Sequence, residues 1–151
     1  MTTAQAALSD PDMRERLSPG ATRGFLGVTG LWGLTEAQQL TLLGASISRP
    51  TLGVWKSEGS KMPLNIDQLM RISLLLGIHE GLERFFRRAP AESAAWLRRP
   101  RLEDPFDGLP PLEIMLHRGI PGLQATRQYI ESAAGGPPSR SWHMLGLARE
   151  R

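Results

Sequence analysis

The segment "NIDQLMRISLLLGIHEGLERFFRR", residues 65–88, constrains the fold more than any other part of the chain. Its apolar residues recur at the spacing of one helical face, and no alternating strand pattern competes with it. Asn65 or Asp67 is expected to begin the helix, and Gly77 is a candidate break within it. The residues that keep the helical spacing are Leu69, Ile72, Leu76, Leu82, Phe85 and Phe86.

Composition extends the helical prediction to the rest of the chain. Among 151 residues, 16 Gly and 12 Pro divide the sequence into short elements and leave little room for long strands. The hydrophobic fraction of 40% is normal for a globular protein. The sequence therefore predicts an all-α fold made of short helices.

Features of export, membrane insertion and thiol chemistry are missing from the sequence. There is no Cys, so disulfides and thiolate metal sites are excluded and a reducing cytoplasm is the expected compartment. No apolar run approaches the roughly 18 residues that a membrane span needs, and the N-terminus lacks an apolar signal segment. Residues 1–20, with Pro11 and Pro19 as breakers, are interpreted as a flexible leader.

A first domain is predicted over residues 21–88, starting with a helix that several glycines weaken. In the next helix Thr35 is the expected N-cap, Glu36 complements the helix dipole from the first turn, and Gly44 is a natural stop. The residues that share one face of the weakened helix are Phe25, Val28 and Trp32.

A further helix is expected directly after this turn. Ser48 is placed to cap it, and Pro50 is favoured in its first turn. Leu52 and Trp55 lie at i and i+3 and are predicted to face the core. The residues predicted to face outward are Arg49, Thr51, Gly53 and Lys56.

This order of elements, a supporting helix followed by a turn and an outward polar helix, is that of a DNA-reading helix-turn-helix. The turn here is longer than is common. Arg49 is suited to a guanine edge or a phosphate, Thr51 to a phosphate or a thymine methyl, and Lys56 to a phosphate. Ser48 is grouped with them as a candidate DNA contact. The net charge of +3 permits DNA binding without requiring it, and an ordinary corner of a helical bundle explains the pattern equally well.

A second domain is predicted over residues 89–136, and a tail occupies residues 137–151. A short helix ends at Pro100, a Pro-rich loop comes next, and another short helix ends at Gly119. The last helix has one apolar stripe formed by Leu123, either Thr126 or Arg127, and Ile130.

Arginines cluster at the junction of the two predicted domains. They could contact phosphates or an acidic partner, although pairing with neighbouring Glu residues and helix carbonyls on a solvated surface is the favoured interpretation. The cluster consists of Arg84, Arg87, Arg88, Arg98, Arg99 and Arg101.

Catalysis has little support in the sequence, and the chain is predicted not to be an enzyme and to need no cofactor or metal. His79, His117 and His143 are interpreted as isolated, each without an acid at ligand or relay spacing. No glycine-rich phosphate loop comes after a strand.

Residues 21–136 resemble the Xre/MbcA/ParS family of antitoxins. In the first domain the resemblance rests on "LWGLTEAQQLTLLG", "SRPTLGVWKSEG" and "DQLMRISLLLGIHEGLERFF". Its most specific part is the second domain, which generic Xre repressors lack. The motifs there are Trp96-Leu97, a Pro/Gly loop, Pro111-Leu112-Glu113 opening a helix, Gly119, Gly122, and the small residues Ala133 to Gly136.

The resemblance implies an Xre-like helix-turn-helix domain joined to a small helical toxin-binding domain. Such a chain dimerises, represses its own operon by binding operator DNA, and neutralises a RES-domain toxin that degrades NAD or transfers ADP-ribose from it. The DNA-reading helix maps onto residues 49–57. The toxin-facing residues map onto the last helix and the segment after it, namely Arg127, Ile130, Ala134, Gly135, Trp142 and Leu145.

Two questions stay open from the sequence. Residues 137–151 either fold on the toxin through their apolar side chains or pack on their own domain. A stand-alone helix-turn-helix regulator, whose second domain dimerises or binds a ligand, is the alternative to an antitoxin.

Overall fold

The computed structural model describes residues 3–134 of the chain, and the side chains of residues 6–133. Its regular secondary structure is helical, and the loop after α6 contains an isolated antiparallel bridge between Arg101 and Leu109. The all-α prediction is confirmed. None of these helices has the length and apolar character to cross a membrane. The helices are α1 (Thr3–Leu8), α2 (Pro11–Leu31), α3 (Glu36–Leu42), α4 (Arg49–Glu58), α5 (Ile66–Phe85), α6 (Pro90–Arg98) and α7 (Pro111–Ala134).

Side-chain caps fix where the three middle helices begin. Thr35 caps α3 and Asn65 caps α5, each in a reciprocal capping box with a Gln three residues later. Ser48 caps α4 through a hydrogen bond that its hydroxyl accepts from the backbone of Thr51. The predicted starts of α3 and α4 are therefore confirmed, and of the two candidates for α5 the cap is Asn65.

The prediction of a flexible leader is wrong for residues 3–20, which form α1 and the first half of α2. Leu8 and Leu17 are buried there, so apolar contacts hold this segment against the core. Pro19 lies inside α2 but on its exposed side, and Pro11 begins the helix rather than breaking it. An exposed Pro removes one helical hydrogen bond while leaving the freed carbonyl open to water.

Helix α5 is the centre of the fold. Residues 72–78 are buried without exception, so Gly77 lies within a continuous helix and is not a break. Helix α5 packs most extensively on α7 and next on α2. Gly81 of α5 allows the close approach of α7, since a Cβ built there would lie 2.5 Å from the Cγ2 atom of Ile130. The two predicted domains therefore share one core.

Helix α7 is bent where the sequence analysis ends one helix and begins another. Gly119 has φ 61° and ψ −141°, a left-handed conformation that favours glycine. Beyond this kink, Leu123, Thr126 and Ile130 are buried. The buried stripe thus includes Thr126, whereas Arg127 lies beside it and pairs with Glu131.

Candidate nucleic-acid and partner interfaces

The turn between α3 and α4, residues 43–48, is held in place by α5. Gly44 takes a positive φ of 73°, and the guanidinium of Arg71 lies against it. Arg71 also donates to the carbonyl of Leu42 over 3.4 Å. Within the turn, the hydroxyl of Ser46 accepts a hydrogen bond of 2.9 Å from the side-chain amide of Gln68. The longer turn is therefore a defined structure that sets the direction of α4.

Helix α4 divides its residues between core and surface as predicted. Leu52 is fully buried, and Trp55 is 5% exposed. Arg49 and Lys56 are exposed along one edge of this buried stripe, and Thr51 is exposed along the other edge. Ser48 is the N-cap of this helix, and its hydroxyl lies 3.0 Å from the Thr51 hydroxyl.

The two cations of this exposed face bind the same carboxylate. Arg49 Nη1 lies 2.9 Å from Oε1 of Glu36, and Lys56 Nζ lies 3.2 Å from Oε2. The hydrogen bonds from Lys56 and Arg49 lower the pKa of the Glu36 carboxyl from its ordinary value. Local spacing predicts only that Glu36 complements the helix dipole. It does not predict this bridge, because the two partners of Glu36 lie 13 and 20 positions along the chain.

The predicted toxin-facing residues differ in how much surface they offer to a partner, and some lie outside the described residues. Arg127 and Glu131 form an ion pair of 3.0 Å that is largely shielded from solvent. Ile130 is only 3% exposed and packs in the core, so it offers a partner little surface. The side chain of Ala134, and the residues Gly135, Trp142 and Leu145, lie outside the part of the chain that the structure describes. Toxin binding by this set stays a prediction.

A groove of about 200 Å³ lies between the ends of α5, α6 and α7. Its apolar lining includes Phe85, whose ring is 50% exposed although its spacing fits the inner stripe of α5. Two arginines also line it, so the groove combines apolar and cationic surface. The residues that line it are Leu82, Phe85, Phe86, Trp96, Arg99, Arg101, Tyr129, Ile130 and Ala133.

One wall of the groove is an ordered aromatic cluster. The guanidinium of Arg101 lies 5.2 Å from the centre of the Trp96 ring. Tyr129 stacks beside Trp96, and its hydroxyl donates a 2.6 Å hydrogen bond to Glu103. This hydrogen bond is the main reason why the pKa of the Glu103 carboxyl is lowered. Contacts between α7 and the loop that follows α6 therefore hold this wall of the groove in place.

The Arg cluster forms fewer ion pairs than the favoured interpretation expects. Arg98 donates to the carbonyls of Trp32 and Gly33, and so ties α6 to the end of α2. Arg101 pairs with Glu103 at 2.9 Å. Within residues 3–134 the remaining members make no side-chain hydrogen bond or ion pair; these are Arg84, Arg87, Arg88 and Arg99.

Two histidines are not isolated, contrary to the sequence interpretation. His117 Nε2 lies 2.9 Å from the carboxylate of Glu113, and His79 Nε2 lies 3.5 Å from that of Glu83. Both acids are four residues away on the same helix, a spacing that the interpretation overlooked. No group of three or more metal-ligating side chains converges among the described residues, and His143 lies outside them.

Comparison with known proteins places the chain beside one rhizobial protein. The uncharacterized protein y4oB of Sinorhizobium fredii (strain NBRC 101917 / NGR234) is 31% identical over 128 residues, which cover 85% of this chain and 95% of y4oB. The chain belongs to the y4oB family. No protein-family model matches the sequence. The match therefore extends over most of both chains.

Proposed function

We propose that the chain is an antitoxin that represses its own operon and neutralises a RES-domain toxin acting on NAD. The face of α4 carries this proposal, because Arg49, Thr51 and Lys56 are exposed while Leu52 and Trp55 anchor the helix. The second domain resembles the toxin-binding domain of Xre/MbcA/ParS antitoxins. In this system the toxin is the enzyme, and the present chain contributes no catalytic group.

DNA binding is supported by the direction and chemistry of α4. A helix that enters the major groove contacts bases with residues near its N-terminus, and cations along its sides contact phosphates. Arg49 is the first residue of α4, and Lys56 lies two turns further along the same helix. We therefore assign Arg49 to the base edges or the nearest phosphate and Lys56 to the phosphate backbone. Thr51 lies on the other flank of α4 and is assigned to a phosphate or a thymine methyl there.

Toxin binding is supported by the groove beside the end of α7. Exposed aromatic rings in a preformed pocket are typical anchors of protein interfaces. Phe85 supplies such a ring, and the unpaired Arg99 beside it favours a partner surface with carboxylates next to apolar residues. The toxin, rather than DNA, is the occupant that we propose for this groove, since the groove is more apolar than cationic.

Replacing Arg49 and Lys56 together by Ala is expected to weaken binding to the DNA upstream of the coding frame by about tenfold or more. The loss is expected because both cations are exposed donors on the proposed reading face. Fluorescence anisotropy with a labelled duplex measures it. Arg23→Ala with Arg84→Ala is the matched control, since it removes two positive charges from exposed positions on α2 and α5. Equal affinity of the two double variants would place the reading face elsewhere.

Phe85→Glu is expected to reduce co-purification of the toxin by about tenfold or more, as for an aromatic anchor of an interface. The chain is co-expressed with the RES-domain protein encoded beside it, and toxin recovery and cellular NAD are measured. Leu31→Glu is the control, because Leu31 is 51% exposed and lies at the end of α2. An unchanged NAD level without the chain, combined with intact operator binding, would favour the stand-alone regulator.

A further inference from the structure

We propose that Glu36 restrains DNA binding by occupying the two cations of α4 in the free protein. The inference rests on the DNA-binding half of the proposed function and adds a competitor to it. In this view the carboxylate takes the place that phosphate oxygens take in the complex. Both anions offer arginine and lysine the same kind of charge-assisted hydrogen bond.

The Glu36 carboxylate is shared between the two cations of α4. Each oxygen of Glu36 accepts from a different cation, at 2.9 Å for Arg49 and 3.2 Å for Lys56. One carboxylate therefore bridges residues that lie two turns apart on α4. Because one negative charge faces two positive charges, the cluster presents a net charge of +1 to an approaching phosphate instead of +2.

The position of the carboxylate is fixed by the neighbouring helix. Glu36 is the first residue of α3, and the preceding Thr35 forms a capping box with Gln38 that sets the start of that helix. The turn from α3 to α4 is itself tied to α5 through Arg71 and Gln68. Glu36 therefore stays beside α4 when the cations release it, and continues to repel phosphate at close range.

The rest of α4 offers a natural control for this effect. Glu58, the last residue of the helix, pairs with Lys61 at 2.7 Å and touches neither Arg49 nor Lys56. Glu58→Gln and Glu36→Gln change the net charge of the protein equally. A difference between the two variants therefore reports the position of the carboxylate and not the total charge.

The test is the affinity of the full-length chain for a short labelled duplex, measured by fluorescence anisotropy over a series of salt concentrations. Glu36→Gln is expected to tighten binding about tenfold at low salt, and to steepen the salt dependence by up to about one released counterion. Glu58→Gln is expected to tighten it less than about twofold, since Glu58 pairs with Lys61 and contacts neither Arg49 nor Lys56. All three proteins should unfold at similar denaturant concentrations, because exposed ion pairs add little stability.

A second comparison links the gain to the two cations. The background for this comparison is a chain that already carries Arg49→Ala and Lys56→Ala. In that chain Glu36→Gln should increase DNA affinity no more than Glu58→Gln does, since the cations that Glu36 would release are absent. If Glu36→Gln binds no tighter than Glu58→Gln, or binds more weakly because Glu36 orients Arg49 for DNA, the restraint is disproved while DNA binding stands. If the parent chain and all variants fail to bind duplex, the DNA-binding half of the proposed function is overturned, and the restraint with it.

Discussion

Trp55→Ala is expected to lower the free energy of unfolding by about 3–5 kcal/mol, the usual cost of truncating a buried aromatic side chain. The ring of Trp55 is 5% exposed and belongs to the main core, although its neighbour Lys56 faces outward. Its removal leaves a cavity beneath the proposed reading face of α4. Urea unfolding monitored by circular dichroism measures the loss directly.

Phe85→Ala is the matched control for Trp55→Ala. It also truncates an aromatic ring, but that ring is half exposed, so the cost should be clearly smaller. We expect Trp55→Ala to reduce DNA affinity only through the unfolded fraction, so the loss should disappear once affinity is corrected for folded protein. A stable Trp55→Ala chain would show that the ring is not part of the core.

Local sequence signals were sufficient for the middle of the fold. The caps at Thr35 and Ser48 and the stop at Gly44 depend on residues within one helical turn, so their spacing can be recognised directly. The inward placement of Leu52 and Trp55 also results from helical periodicity alone. These are the residues for which sequence and structure agree best.

The N-terminal segment could not be predicted from the same signals. Residues 3–20 are polar overall and contain two prolines, which favours a flexible interpretation. The structure orders them because Leu8 and Leu17 reach the core, and because Pro19 falls on the exposed side of α2. Both facts depend on tertiary placement, which overrides local propensity.

The candidate sites depend even more on contacts between distant residues. The bridge from Glu36 to Arg49 and Lys56 joins two helices across the turn, and no i, i+3 or i, i+4 rule covers it. The groove likewise combines Phe85 with Tyr129, which the sequence places in different predicted domains. Periodicity assigned Phe85 to the inner stripe, since it has no information on where α5 leaves the core.

Gly122→Ala is expected to destabilise the fold by about 1–3 kcal/mol, because the added methyl group overpacks the bend of α7. A Cβ at this position would lie 2.3 Å from the carbonyl oxygen of Ile114 and 2.9 Å from the Cβ of Arg118. The closest atom belongs to the backbone, so the two halves of α7 must move apart to relieve the contact. That movement would also shift Tyr129 out of the groove, and toxin binding should fall with stability.

The control for Gly122→Ala is the same substitution at Gly27, where a Cβ meets no atom within 4 Å. Gly27 is exposed within α2, so Ala should stabilise the helix there by about 0.5–1 kcal/mol through lower backbone entropy in the unfolded chain. The two variants therefore differ in sign, although each adds only one methyl group. Equal stabilisation by both would show that the bend does not require glycine at position 122, and that Gly119, with its positive φ, accounts for the bend alone.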